Sequence, residues 1–232
     1  MSLGTSGVLF AANNSYRPDP ESAVHTFCHA IPGMWHQMGV ILSATDSLNW
    51  LATITGQKPS ELTSALGTEI KSPSAIKFLP YLSGERTPHN DSTIRGSFSN
   101  IDIASTSEDL TQAVIEGVSF ALRDNLEALS QAGTELDRVI AVGGGSRSDY
   151  WLSLLATILG KPIDLPEKGD FGAAFGAARL AQASVSDTAI DEIMSLPKTA
   201  KSFEPDLNMS QEFDDAYQTY RALYPALRGV YS

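Results

Sequence analysis

The sequence predicts an α/β domain, a mixed sheet flanked by helices, and three observations carry that prediction. Strand-length apolar runs alternate with helix-length segments through the second half of its 232 residues. A long stretch from Leu110 to Leu129 repeats apolar residues at helical spacing. Glycines stand where successive runs meet, at Gly56, Gly133, Gly143 to Gly145 and Gly160.

Taken in order, Val8 to Ala12 is short, apolar and bounded by Asn13-Asn14-Ser15, which predicts a strand ending in a loop. Ala23 to Ala30 predicts a second strand. From Met38 to Leu51, the residues Val40, Ile41, Ala44, Leu48 and Leu51 fall at helical spacing, predicting one helix that Gly56 ends. Pro59 to Leu66 reads as a short helix and Ala75 to Leu79 as a strand. Ser83 to Gly96 shows no periodicity, and loops of that length in compact domains are uncommon and often functional. Thr106 and Asp109 have the spacing of a capping box ahead of the long stripe, and Gly133 caps its far end. Arg138 to Val142 then predicts a strand, Gly143 to Gly145 a loop, Asp149 to Leu159 a helix and Pro162 to Leu165 a strand. Gly172 to Ala183 predicts a helix of small residues able to pack closely on a sheet, and Met209 to Tyr224 an acidic amphipathic terminal helix.

Composition excludes several classes. A net charge of -11 and a pI near 4.7 argue against binding nucleic acid through its phosphates, which takes Lys and Arg. No apolar stretch approaches the roughly 18 residues needed to cross a bilayer, and no secretory leader opens the chain, so a cytoplasmic location with no membrane partner is expected. Cys28 is the only cysteine and is expected in the core. His25, His29 and His36 do not suggest a metal, because residues four apart on a strand lie about 13 Å from each other. Glu85 and Arg86 read as a solvated pair, with Arg86 alternatively facing a phosphorylated ligand, and Glu116 as part of a polar helix face.

Two glycine motifs carry the functional reading. Gly4-Thr5-Ser6-Gly7 leads into a strand, leaving backbone N–H groups and a hydroxyl available to an anion, although hairpin turns also use these residues for conformation alone. The strand-Gly143-Gly144-Gly145-helix sequence lets the chain pass close to a nucleotide with a helix N-terminus facing its phosphate. An alternative takes Gly143 and Gly145 as a partial dinucleotide fingerprint with Asp164 on the ribose, but Ser148 stands where the third glycine belongs.

Together the runs GTSGV at Gly4 to Val8, AVHTFCHAIPGMWHQMGVILSA at Ala23 to Ala44, PYLSGERTPHND at Pro80 to Asp91, AVGGGSRSDYWLSLLATILGKPI at Ala141 to Ile163 and GDFGAAFGAARLA at Gly169 to Ala181 resemble the C-terminal half of the FGGY carbohydrate kinases. The histidine-rich run and the LSGERTPH loop resemble the branch that acts on D-xylulose. Gly96, Phe98, Ile101, Asp109, Leu110, Ala113, Val114, Ile115 and Glu116 fit a second family signature, with Asn100 where glycine is usual.

The resemblance implies a ribonuclease-H-like, actin-like ATPase fold. It implies one nucleotide-binding domain over residues 1–232, with a phosphate-binding hairpin and strands in 1–30, an adenosine-binding strand-glycine-helix unit in 136–185 and a C-terminal helix in 205–232. It implies ATP contacts from Gly4, Thr5, Ser6, Gly7, Asn49, Gly144, Gly145 and Asp149, with Mg2+ held mainly through ATP and an absent N-terminal domain. That domain would also carry the catalytic base and the sugar pocket, so no residue of this chain is expected to be catalytic, and the chain alone is expected to be inactive. The implied reaction is transfer of the ATP γ-phosphate to D-xylulose, in an enzyme that forms a homodimer. The alternatives are another pentulose or polyol kinase of the family, or a stand-alone nucleotide- or protein-binding domain. The chain opens on turn residues, so a missing strand before Gly4 is expected to leave a sheet edge exposed.

Overall fold

The computed structural model describes residues 1–167 and 172–231. Ser2–Leu3 (β1) and Gly7–Asn13 (β2) form a hairpin, followed by His25–Cys28 (β3) and Trp35–Ile41 (β4). β4 pairs antiparallel with β2 from Gly7 opposite Ile41 to Asn13 opposite Trp35, and with β3 from His25 opposite Met38 to Cys28 opposite Trp35. The helix expected over Met38 to Leu51 is therefore two elements: Met38 to Ile41 finish β4, and the helix α1 runs Thr45–Thr55. Val40, Ile41 and Ala44 fit a helical period, but pairing on both edges of β4 outweighs it. Gly56 does end α1, in the left-handed conformation with φ 68°.

Pro59–Ala65 (α2), Lys77–Leu79 (β5), Ser97–Ser99 (β6) and Ser107–Gln131 (α3) come next. The predicted capping box is present: Thr106 Oγ1 accepts from Asp109 N at 3.2 Å, and Asp109 Oδ2 accepts from Thr106 N at 2.8 Å. β5 and β6 pair, and their Phe78 and Phe98 stack with Trp50 of α1. Asn100 adopts φ 64°, the left-handed region where glycine is usual and asparagine is tolerated. Its side chain donates to Ala75 O at 3.2 Å, so the turn keeps its shape despite the substitution.

α3 is the central helix, and it is buried further round than its stripe implies. Glu116, expected on a polar face, is 1% exposed. Its carboxylate accepts from Ser74 N at 3.0 Å and from Gln112 Nε2 at 2.7 Å. The segment before β5 covers this face, a contact distant in sequence that periodicity does not register.

Val139–Ile140 (β7), Asp149–Leu159 (α4), Ile163–Pro166 (β8), Gly172–Val185 (α5), Ile190–Ile193 (α6), Thr199–Phe203 (β9) and Ser210–Tyr231 (α7) complete the order. β7 and β8 are parallel, and β9 pairs antiparallel with β8. β1 does not leave an open edge before Gly4. Leu3 N donates to Val142 O at 2.8 Å and Val142 N to Met1 O at 2.9 Å, joining the two sheets in the order β3-β4-β2-β1-β7-β8-β9.

Three further expectations change. α5 has no buried residue among those described, so its small side chains do not pack on the sheet within this chain. Cys28 is exposed, because it ends the outermost strand rather than facing α3. Glu85 and Arg86 are not a solvated pair, since Glu85 is 2% exposed while Arg86 is exposed. Lys168 and the first three residues of the GDFGAAFGAARLA run, Gly169 to Phe171, lie outside the described residues. α7 docks through Phe213, Tyr217 and Tyr220, the two tyrosine rings lying 5.8 and 5.4 Å from Phe120.

Candidate functional site

The two glycine motifs lie against each other although about 140 residues separate them. Gly4 O accepts from Thr45 N at 2.9 Å and from Thr45 Oγ1 at 2.8 Å, while Thr5 O accepts from Ala44 N at 2.8 Å. These bonds fasten the β1-β2 turn to the start of α1 and leave the Thr5 side chain exposed. On the other side, Gly143 has φ 98°, and a Cβ there would meet Leu3 O at 2.8 Å, so the position is restricted to glycine on both counts. Gly144 and Gly145 open a 3-10 turn, Gly144–Arg147, where a loop was expected. Ser148 then caps α4, its Oγ accepting from Trp151 N at 3.3 Å.

A cleft of about 700 Å3 opens between α1, α2 and this turn. Asn49 from α1, Gly144 and Gly145 from the turn and Asp149 from the first turn of α4 all line it, with Thr63 and Ser64 of α2 among the residues facing them. Four of the sequence-predicted contacts thus come together on one concave surface. Gly4, Thr5, Ser6 and Gly7 are not part of its lining but adjoin it through Thr45, which is. Gly7 is buried, and a Cβ there would stand 2.7 Å from Ile41 Cγ1, so packing alone accounts for it.

Sequence reasoning missed Thr45 because the helix was drawn through it. It missed Lys201, whose Nζ lies 2.6 Å from Asp149 Oδ2 at the rim of the cleft. β9 carries that lysine across the sheet from β8, and no motif marks it.

The dinucleotide alternative does not survive. Asp164 is absent from the cleft, and its Oδ1 is bound by Arg138 Nη1 at 2.6 Å and Ser202 Oγ at 2.5 Å. Among the described residues no group of three or more His, Cys, Asp or Glu is placed to hold a metal ion. Among the described residues no helix is long and apolar enough to cross a membrane.

The profile of the C-terminal domain of the FGGY family of carbohydrate kinases matches residues 1–185. Xylulose kinase of Escherichia coli strain K12 is 41% identical over 229 residues, which are 98% of this chain and 47% of that protein. Xylulose kinase of Klebsiella pneumoniae is 44% identical over 190 residues, 82% of this chain and 39% of that protein. A crystal structure described as a xyloylose kinase from Brucella ovis superposes with a TM-score of 0.95 at 57% identity, covering 99% of this chain and 47% of that one. The chain spans about half the length of these relatives. It belongs to the FGGY family of carbohydrate kinases, as a C-terminal domain with the actin-like ATPase fold.

Proposed function

We propose that this chain is the nucleotide-binding half of an ATP-dependent kinase that transfers the γ-phosphate of ATP to D-xylulose, giving D-xylulose 5-phosphate. The observation that carries the reading is the cleft, where Asn49, Gly144, Gly145 and Asp149 converge from three separate elements beside the fastened Gly4-Thr5 turn. In this reading the adenosine lies in the cleft and the phosphates point to the Gly4 to Gly7 turn. The N-terminus of α4 adds backbone N–H groups and a favourable dipole toward the anion.

ATP brings Mg2+ with it. Asp149 is the only carboxylate among the cleft's lining residues and is already paired with Lys201, so the described residues offer no ligand cage of their own. Mg2+ bound mainly by phosphate oxygens and water fits that surface. The residues of this chain would bind and orient the nucleotide; none of them is assigned as the base that takes the sugar hydroxyl's proton, a role left to the other half of the enzyme.

D-Xylulose rests on the similarity to the Escherichia coli and Klebsiella xylulose kinases. The test is a coupled ADP-release assay on this chain joined to its N-terminal half, offered D-xylulose, D-ribulose, gluconate and glycerol. Turnover highest on D-xylulose supports the assignment; preference for another acceptor moves the protein elsewhere in the family. Phosphate transfer by this chain alone would contradict the division of labour.

A further inference from the structure

A second pocket, of about 330 Å3, lies at the free edge of the sheet, where the loop 83–96 meets β3. It shares no lining residue with the nucleotide cleft. Its volume is at the lower end of pockets that take small ligands, about 300 Å3 upward.

Its wall is built for an anion. Arg86 and Asn90 both line it, both are exposed, and neither side chain has a hydrogen-bond or ion-pair partner among the described residues. Arg123, Arg138 and Arg221, by contrast, are each paired with carboxylates. No Asp or Glu lines the pocket, in a chain of net charge -11. The acid beside Arg86 does not cancel its charge: Glu85 Oε1 accepts from Leu42 N at 3.0 Å and Arg86 N at 2.7 Å, and burial pushes this carboxyl up to about 8. Asp19, on the loop that borders the pocket, turns its Oδ1 to the backbone of Glu21 and Ser22.

The remaining wall supplies apolar surface for a carbon skeleton. Pro18, Pro20 and Val24 contribute to it. Tyr16 and Phe27 present exposed rings. Ala23 and Asn90 also belong to the lining, and they are two of the three non-glycine residues at positive φ among the described residues, 53° and 46°. At Ala23 such backbone costs about 1 kcal/mol or more and concentrates at ligand sites, whereas asparagine tolerates it.

We propose that this pocket binds a phosphate monoester of a small sugar or polyol, with the phosphate on Arg86 and Asn90 and the carbon skeleton against Tyr16 and Phe27. A guanidinium beside an amide suits a dianionic phosphate, whose charge-assisted hydrogen bonds are about twice as strong as neutral ones.

The test is calorimetric titration of this chain with D-ribose 5-phosphate and, separately, inorganic phosphate, in the wild type and in Arg86→Met and Asn90→Gly. Arg86 is exposed, and glycine adopts the backbone angle at 90 without strain, so both variants keep the fold, as circular dichroism will verify. The expected result is saturable sugar-phosphate binding, weakened about tenfold or more by Arg86→Met and less by Asn90→Gly, and unchanged by saturating MgADP. Absence of binding, equal binding by Arg86→Met, or loss of binding with MgADP would overturn the proposal. So would equal affinity for inorganic phosphate, which would mark an adventitious anion site.

Discussion

The side chain of Leu3 lies so close to Gly145 that a Cβ at 145 would stand 2.5 Å from Leu3 Cγ. This contact packs the end of β1 against the glycine turn that lines the cleft. Gly144, one residue earlier, is exposed, and nothing lies within 4 Å of the Cβ it would carry. Gly145→Ala is expected to lose about 1–3 kcal/mol in urea unfolding, the cost of overpacking a filled site. Gly144→Ala is expected to stay within about 0.5 kcal/mol, as surface substitutions usually do. Equal losses at both positions would contradict the packing described.

Asp149 and Lys201 form an exposed pair, with side chains 59% and 51% accessible. Exposed pairs contribute little to folding, so Lys201→Met is expected to change stability by less than about 1 kcal/mol. Because Asp149 lines the cleft, its loss is expected to act on nucleotide binding instead: Asp149→Ala should weaken MgADP several-fold, while Asp149→Asn, which keeps an acceptor, should retain most of the affinity. Titration calorimetry separates the two effects.

Much of this arrangement is legible in the sequence. Thr106 with Asp109 announces the long helix, Gly56 and Gly160 close their helices in the left-handed conformation, and the glycine run marks the turn that opens the cleft. These signals are local, because a cap or a turn is decided by a few neighbouring residues. What escaped is decided at a distance. The strand identity of Met38 to Ile41 comes from β2 and β3, the burial of Glu116 from the segment before β5, and the Asp149 partner from β9, 52 residues along the chain. The exposure of α5 belongs to the same class: its apolar Phe175 and Leu180 are each 47% exposed, and the described residues bury none of the helix.

Glu85 gives a pH dependence. Its carboxyl keeps a proton up to about pH 8 in the folded chain, whereas an unfolded glutamate releases it near 4.5. The folded state therefore binds more protons between those values, and stability falls as pH rises from about 4.5 to 8. Glu85→Gln keeps an oxygen for Leu42 N and Arg86 N and removes the charge. Its melting temperature is expected to match the wild type near pH 5 and exceed it at pH 9, by an amount equivalent to about 1–3 kcal/mol. A constant difference across that range would show that Glu85 does not titrate as described.

Tyr217 carries a prediction of opposite direction. Its hydroxyl donates to Asp124 Oδ1 at 2.6 Å, and Asp124 is a buried acid on α3 that burial pushes up to about 6. Tyr217→Phe keeps the ring, under the Arg123 guanidinium at 4.2 Å, and removes the donor. Above pH 6 the carboxylate is left short of a partner, at a cost of about 1–3 kcal/mol. At pH 5, where Asp124 is protonated, the penalty is expected to shrink. Denaturant unfolding at pH 5 and pH 8 measures both.

The central claim is that the cleft between α1, α2 and the glycine turn holds the nucleotide, and titration of this chain and Gly144→Asp with MgADP tests it most directly. Gly144 is preferable to Gly145 here, since its side chain enters open space and the added carboxylate acts on the phosphates without disturbing Leu3. Saturable binding by the wild type that falls at least about tenfold in the variant, with unchanged melting, is the predicted result. Binding of equal strength in both proteins would place the nucleotide elsewhere, and no binding even when the chain is joined to its N-terminal half would contradict the assignment altogether.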